Sequence, residues 1–201
     1  EFFGTDGLDT EQHARTFAAE RGKFYVSPYN DEEVIAGQGT IGTEILDELP
    51  EVDDVFAAVG GGGLIAGVGS VLKNHRADIR MTGCQPLASP VMARSIAAGR
   101  ILDLPSKSTL SDGTAGGIEP QALTFPLNQA VVDDWVEVDE EQIAAAMRLY
   151  MDSEGDVVEG AAGVAVAGLL DRAGDVAGKK VVVVICGGNV SDEVLEAVRQ
   201  N

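Results

Sequence analysis

Apolar positions along this chain follow two rhythms. Short apolar-rich runs at Val52 to Val59, Ile79 to Gln85, Trp135 to Val138 and Val181 to Ile185 read as strands. Between them apolar residues recur at helical spacing. Thr10 to Arg21 places Ala14, Phe17 and Ala18 on one side and stops at Gly22; Glu33 to Leu49 follows, with Gly37, Gly39 and Gly42 expected to make its start irregular. A helix from Leu64 carries Ile65, Val68 and Leu72 on one face. Further helices are expected at Val91 to Ala98, Gln121 to Val132, Ala161 to Arg172 and Ser191 to Arg199. Asp139 opens another, with Gln142 at the reciprocal capping position. Glu1 to Phe3 reads as a strand end, Phe24 to Val26 as a short strand, and Pro28 to Asp31 as a turn. The β-branched run from Val181 is typical of a strand buried on both faces. Strands alternating with helices predict an α/β fold: a parallel sheet with helices on both faces.

One junction between these rhythms carries chemistry. Val59-Gly60-Gly61-Gly62-Gly63-Leu64 closes a strand and opens a helix. Glycine lacks Cβ, so such a turn takes positive φ and converges its N–H groups on one anion. The following helix adds free N–H donors and a positive dipole end, which suits a phosphate. The glycine spacing does not fit a dinucleotide fingerprint, and Leu64 and Ile65 stand where a P-loop needs Lys and Ser or Thr. A glycine turn used only for tight packing is the bland rival.

Composition narrows the partners. The 201 residues suit one sizeable domain, or one domain and part of another. Hydrophobic residues make up 45% and mean hydropathy is +0.07, enough for a buried core. The apolar runs are too short to span a membrane, and no signal peptide opens the sequence. With 33 acidic against 14 basic residues, the net charge is −19. Such a surface repels nucleic acid and anionic membranes, so anion binding has to come from backbone. Cys84 and Cys186 lack metal-ligand spacing, and a reducing cytoplasm is the expected compartment. Cys84 is expected in the core, and His13 and His75 in solvent.

Four separated segments share an order: the glycine run, Ser111-Asp112-Gly113, Val158-Glu159-Gly160-Ala161-Ala162-Gly163, and Cys186-Gly187-Gly188-Asn189. Together with Val34-Ile35-Ala36-Gly37-Gln38-Gly39-Thr40, they resemble the threonine/serine dehydratases, fold-type II enzymes that use pyridoxal 5'-phosphate. The resemblance covers nearly the whole chain. It implies a three-layer, tryptophan-synthase-β-like large domain with a remnant of the small domain. Residues 1–29 would end the small domain and residues 30–201 would form most of the large one. The implied activity is β-elimination on L-threonine, L-serine or a related hydroxy amino acid, giving a 2-oxo acid and ammonia.

The resemblance also assigns roles. Gly60, Gly61, Gly62, Gly63 and Leu64 would bind the cofactor phosphate. Cys186 would meet the pyridine nitrogen, and Gly187, Gly188 and Asn189 would shape the turn beneath the ring. Glu159 would lie near the ring with a candidate catalytic role, and Gly113 and Gly117 would flank it. A thiol beside the pyridine nitrogen leaves the ring a weaker electron sink than a carboxylate would, which favours elimination. Bland rivals are a small buried Cys186, a dipole-complementing Glu159 and turn chemistry at Asp112.

Family members hold the cofactor through a lysine in a Ser-x-Lys-x-Arg-type segment, and none of Lys23, Lys73, Lys107, Lys179 and Lys180 has that context. Lys179-Lys180 reads instead as the exposed lip of a strand. The chain is therefore expected to be the C-terminal two-thirds of an enzyme that is a homo-oligomer at full length. An N-terminal fragment of the same enzyme is a candidate partner, and this fragment alone is expected to be inactive. Where some relatives bind a divalent cation through carboxylates, this chain has Gln85 and Val91, so no metal is expected. The alternatives are a non-catalytic cofactor- or phosphate-binding module, or a relative of serine racemase or cysteine synthase.

Overall fold

The computed structural model describes residues 3–4 and 6–200. Its centre is a parallel sheet of β1 (Asp54–Ala58), β2 (Arg80–Pro86), β3 (Asp134–Val138) and β4 (Val181–Val183), in the spatial order β3-β2-β1-β4. Alternate residues of β1 enter opposite cores, as the two-residue period of a strand requires. Val55 and Ala57 join the core with Ile65, Val68 and Leu72, whereas Phe56 and Ala58 join the core with Ile143, Met147 and Ala162.

The first face is covered by α2 (Glu32–Glu48), α3 (Gly63–His75), α4 (Val91–Ala98) and α5 (Thr124–Val131). The second carries α6 (Glu140–Glu154), α7 (Gly160–Asp171) and α8 (Asp192–Gln200). The three-layer α/β architecture expected from the sequence is therefore present. Helix α7 is built of small residues and touches all four strands. A Cβ at Gly168 would stand 2.4 Å from the Cys84 sulfur, so glycine lets the helix sit directly on β2. Cys84 is wholly buried there, and burial pushes its thiol well above the usual range.

Helix α1 (Gly7–Glu20) packs outside these layers. Asp6 caps it by accepting from Leu8 N–H, and also accepts from Gly117 N–H at 3.1 Å. The capping box at α6 forms as expected: Gln142 N–H donates to Asp139 and Asp139 N–H to Gln142, each at 2.9 Å.

Several sequence expectations are corrected. Helix α2 is regular from Glu32, and its glycines serve close approach instead of irregularity. Cβ atoms at Gly39 and Gly42 would meet α3 at 3.1 and 3.0 Å, while one at Gly67 would stand 2.2 Å from the Ile35 carbonyl oxygen. Residues 24–26 form no strand, because no neighbour pairs with them among the described residues; Phe24 is 85% exposed. Strand β4 is half-buried, since it forms an edge of the described sheet and pairs only with β1. His13 stacks on Phe3 with ring centroids 3.8 Å apart instead of standing in solvent. Lys179 and Lys180 form the exposed lip before β4, as expected, and both are paired there, Lys179 with the buried Asp54 at 3.0 Å and Lys180 with Glu51. The strand expected at residues 1–3 lies mostly outside the described residues, and Phe3 itself is not in a strand.

Candidate cofactor site

Chain order and spatial order together choose the site. From β1 the chain moves outward through β2 to β3, then crosses back to place β4 on the other side of β1. The carboxyl ends of β1 and β4 therefore splay apart, and open parallel sheets bind ligands in such a crevice. The loop after β1 is Gly60 to Gly63; the segment after β4 leads to Cys186. Both line one cleft of about 300 Å³.

The floor is shaped for an anion. Gly62 takes φ +85° and forms the N-cap of α3, a conformation that L side chains avoid. The N–H groups of Gly60, Gly61, Gly62 and Gly63 have no acceptor among the described residues. No carboxylate lies in the first turn of α3, so nothing competes with an incoming anion there. A Cβ at Gly61 would fall 2.3 to 2.5 Å from three Tyr29 ring atoms, and one at Gly60 would fall 3.0 Å from Thr114 Cα. The glycines are thus required both by their neighbours and by the cup.

The wall opposite comes from α7 and the end of β4. Glu159 is the N-cap of α7, but its carboxylate does not cap that helix. It accepts from Asn189 N–H at 3.0 Å, while Glu159 N–H donates to the Gly187 carbonyl at 3.1 Å. A Cβ at Gly187 would meet the Glu159 carboxyl at 2.5 Å. Cys186 reaches the cleft surface, yet surrounding protein and the charge of Glu159 push its thiol up to about 11. A neutral thiol is thereby fixed beside a carboxylate. Alkylation of Cys186 is expected to be slow at pH 8, where about one thiol in a thousand is ionised, and to accelerate without plateau up to about pH 10. Mass-spectrometric rates against pH check this.

Residues of α1 and the 111–119 segment complete the cleft. Gly7, Leu8 and Glu11 line it, as do Gly113 and Gly117. Glu119 is buried and accepts from Arg15 at 2.7 and 3.0 Å, and from Asn30. The Tyr29 hydroxyl accepts from Glu119 N–H at 2.9 Å, and burial pushes its phenol pKa above the usual range. Burial likewise pushes the Glu11 carboxyl up, and the Glu119 charge adds to it.

Of the residues singled out from sequence, Gly60, Gly61, Gly62, Gly63, Leu64, Gly113, Glu159 and Cys186 meet around this cleft. Gly187, Gly188 and Asn189 do not line it; they form the turn that holds Glu159, and Asn189 borders a second cavity on its far side. Tyr29 and Glu11 were not foreseen. Their place depends on a fold-back across the glycine loop, for which the local sequence carries no signal. Gln85 spends its whole side chain on protein, donating to the Val59 carbonyl at 2.9 Å and accepting from Ala93 N–H at 2.7 Å.

Comparisons with known proteins agree with this geometry. The family model described as "Pyridoxal-phosphate dependent enzyme" matches residues 2–187, and the chain belongs to that family. It is 43% identical to an L-threonine ammonia-lyase of Thermotoga maritima over 177 residues, which is 88% of this chain and 44% of that protein. It is 38% identical to the catabolic L-threonine dehydratase TdcB of Escherichia coli, covering 93% of this chain and 57% of that one. A serine racemase of Oryza sativa is 36% identical over 92% of this chain and 56% of its own length. Among solved structures, the processed threonine deaminase isoform 2 of Solanum lycopersicum superposes with a TM-score of 0.90 at 31% identity, over 98% of this chain and 58% of that one. Maize serine racemase gives a TM-score of 0.87 at 30% identity, over 100% and 63%. The chain spans about half the length of the curated relatives it matches. Among the described residues no helix is long and apolar enough to cross a membrane.

The residues fit the family's cofactor. Pyridoxal phosphate needs an anion cup for its phosphate, and the open N–H groups at Gly60 to Gly63 would supply one. It also needs a partner for its pyridine nitrogen, and Cys186 would offer a neutral donor from the facing wall.

Proposed function

We propose that this chain forms most of the cofactor-holding domain of an ammonia-lyase. Its reaction would be β-elimination on L-threonine, L-serine or a related hydroxy amino acid, yielding a 2-oxo acid and ammonia. The carrying observation is that the glycine cup, Cys186 and Glu159 converge on one cleft at the sheet's switch point. When bound, the cofactor supplies an electron sink that labilises the bonds at the substrate's α- and β-carbons. The chain's part is to bind and orient. Gly60 to Gly63 hold the phosphate, and Leu64 begins the helix whose dipole faces it. Cys186 holds its proton on sulfur, so it presents a neutral partner to the ring nitrogen. Glu159, fixed by Asn189 N–H and the Gly187 turn, sets a carboxylate beside that sulfur. Gly7 and Leu8 close the cleft from α1.

None of Lys23, Lys73, Lys107, Lys179 and Lys180 lines the cleft, so the base for the α-proton would come from sequence outside these residues. Residues 1–29 would belong to the small domain and 30–201 to the large one, consistent with α1 packing outside the three layers. A homo-oligomer in the cytoplasm, and an N-terminal segment of the same enzyme as partner, remain part of the proposal.

Elimination is favoured over racemisation. The positions where related racemases are expected to place cation-binding carboxylates hold Gln85, spent on Val59 and Ala93, and Val91, buried at the start of α4. In the full-length protein, L-serine and L-threonine are expected to release 2-oxo acid and ammonia in equal amounts, with no D-enantiomer by chiral chromatography. D-serine as the main product would support a racemase instead.

A further inference from the structure

Glycine loops gain their anion cup at the cost of alternatives: a flipped peptide turns a carbonyl oxygen toward the phosphate in place of an N–H. Something has to hold the loop's carbonyls away from the cleft. Two wholly buried carboxamides touch the two ends of this loop from behind. Gln85 Nε2 donates to the Val59 carbonyl at 2.9 Å. Asn128 Nδ2 donates to the Gly62 carbonyl at 3.2 Å and to the Thr124 carbonyl at 2.8 Å. Neither side chain lines the cleft.

We propose that Asn128 and Gln85 are positioning residues for phosphate binding, pinning the carbonyls of Gly62 and Val59 so that the loop presents only N–H groups to the ligand. The inference rests on the cofactor reading above. Asn128 argues for it most strongly. Its Oδ1 is buried with no partner, and a buried orphan acceptor is costly. An apolar side chain of the same size would avoid that cost, so the return lies in what Nδ2 does. Rotating the amide would set Oδ1 against the carbonyl oxygens of Gly62 and Thr124, so the observed orientation is the only one that bonds. The fit is close as well: a Cβ at Gly62 would lie 2.1 Å from Asn128 Nδ2. Gly62 O already accepts the first bond of α3 from Ala66 N–H, so Asn128 locks the peptide that starts the helix. At the other end, Gln85 ties Val59 to Ala93 in α4 and so braces the loop against a neighbouring helix.

The test uses pyridoxamine 5'-phosphate and pyridoxamine, because neither forms imines with stray lysines. The ratio of their dissociation constants isolates the phosphate's contribution. Asn128→Leu, Asn128→Asp and Gln85→Met are each measured by calorimetric titration in the complete chain, after circular dichroism confirms folding. Each folded variant is expected to lose at least tenfold in the ratio, while pyridoxamine alone changes less than twofold. A merely structural role would weaken both ligands together. Any folded variant that keeps the unaltered ratio overturns the proposal for that residue. If the unaltered chain itself shows no preference for the phosphorylated ligand, the cofactor reading fails first, which is a distinct outcome.

Discussion

Gly61→Asp is expected to abolish cofactor retention, lowering affinity for pyridoxamine 5'-phosphate by at least about 100-fold, or about 2.7 kcal/mol. Two effects add. The new Cβ falls within 2.3 to 2.5 Å of the Tyr29 ring, and that ring cannot retreat easily. Its hydroxyl is held by Glu119 N–H, and its own backbone lies over Gly63. The new carboxylate also stands on the floor that receives the phosphate, where like charges repel. Gly61→Ala carries only the steric part, so its expected loss is smaller, roughly tenfold for about 1 to 2 kcal/mol of overpacking. Equilibrium dialysis separates the two variants. Equal affinity for the unaltered chain and Gly61→Asp would remove the phosphate from this loop.

The largest loss of stability is expected at Gly160. A Cβ there would sit 1.9 Å from the Leu110 carbonyl oxygen and 2.3 Å from its carbon, a collision with backbone. The Leu110 segment is itself tethered, because Leu110 N–H donates to Glu140 at 2.7 Å. Gly160→Ala should therefore cost about 3 kcal/mol, the upper end of overpacking penalties, and lower the melting temperature by roughly 6–12 °C for a chain of this size. The push also displaces Glu159, one residue away, so cofactor affinity should fall in parallel. Gly37→Ala is the control. It lies inside α2 with nothing within 4 Å of a new Cβ, so it should stabilise by about 0.5–1 kcal/mol. Thermal unfolding by circular dichroism measures both variants, and a Gly160→Ala chain as stable as the parent would contradict the close approach.

Legibility from sequence followed the range of the forces involved. Local signals were read well. The Asp139 capping box, helix α4 and the central strands depend on neighbours a few residues apart. The glycine cup was legible for the same reason, since strand, glycines and helix are contiguous. What failed needed tertiary knowledge. Residues 24–26 have strand composition, but a strand exists only where a partner can share its hydrogen bonds. Gly39 and Gly42 were expected to make the start of α2 irregular, yet they lie where α2 approaches α3 closely. The β-branched run of β4 could not reveal that it forms an edge of the described sheet. At the site, contiguity again decided. Of the Cys186 to Asn189 run, Cys186 lines the cleft, while Gly187 and Asn189 bond Glu159 from the turn expected of them. Tyr29 and Asn128, 32 residues before and 66 after Gly61 and Gly62 respectively, meet the loop only through the fold.

The central claim is that Gly60 to Gly63 hold the phosphate of the cofactor. The most direct measurement is the ³¹P resonance of pyridoxamine 5'-phosphate bound to the chain, followed from roughly pH 5 to 8. A free phosphate monoester titrates near pH 6. Within a cup of N–H donors the dianion is favoured, so the bound resonance is expected to stay constant across that range and to vanish in Gly61→Asp. A bound resonance that titrates like free ligand, or one unaffected by Gly61→Asp, would place the phosphate elsewhere.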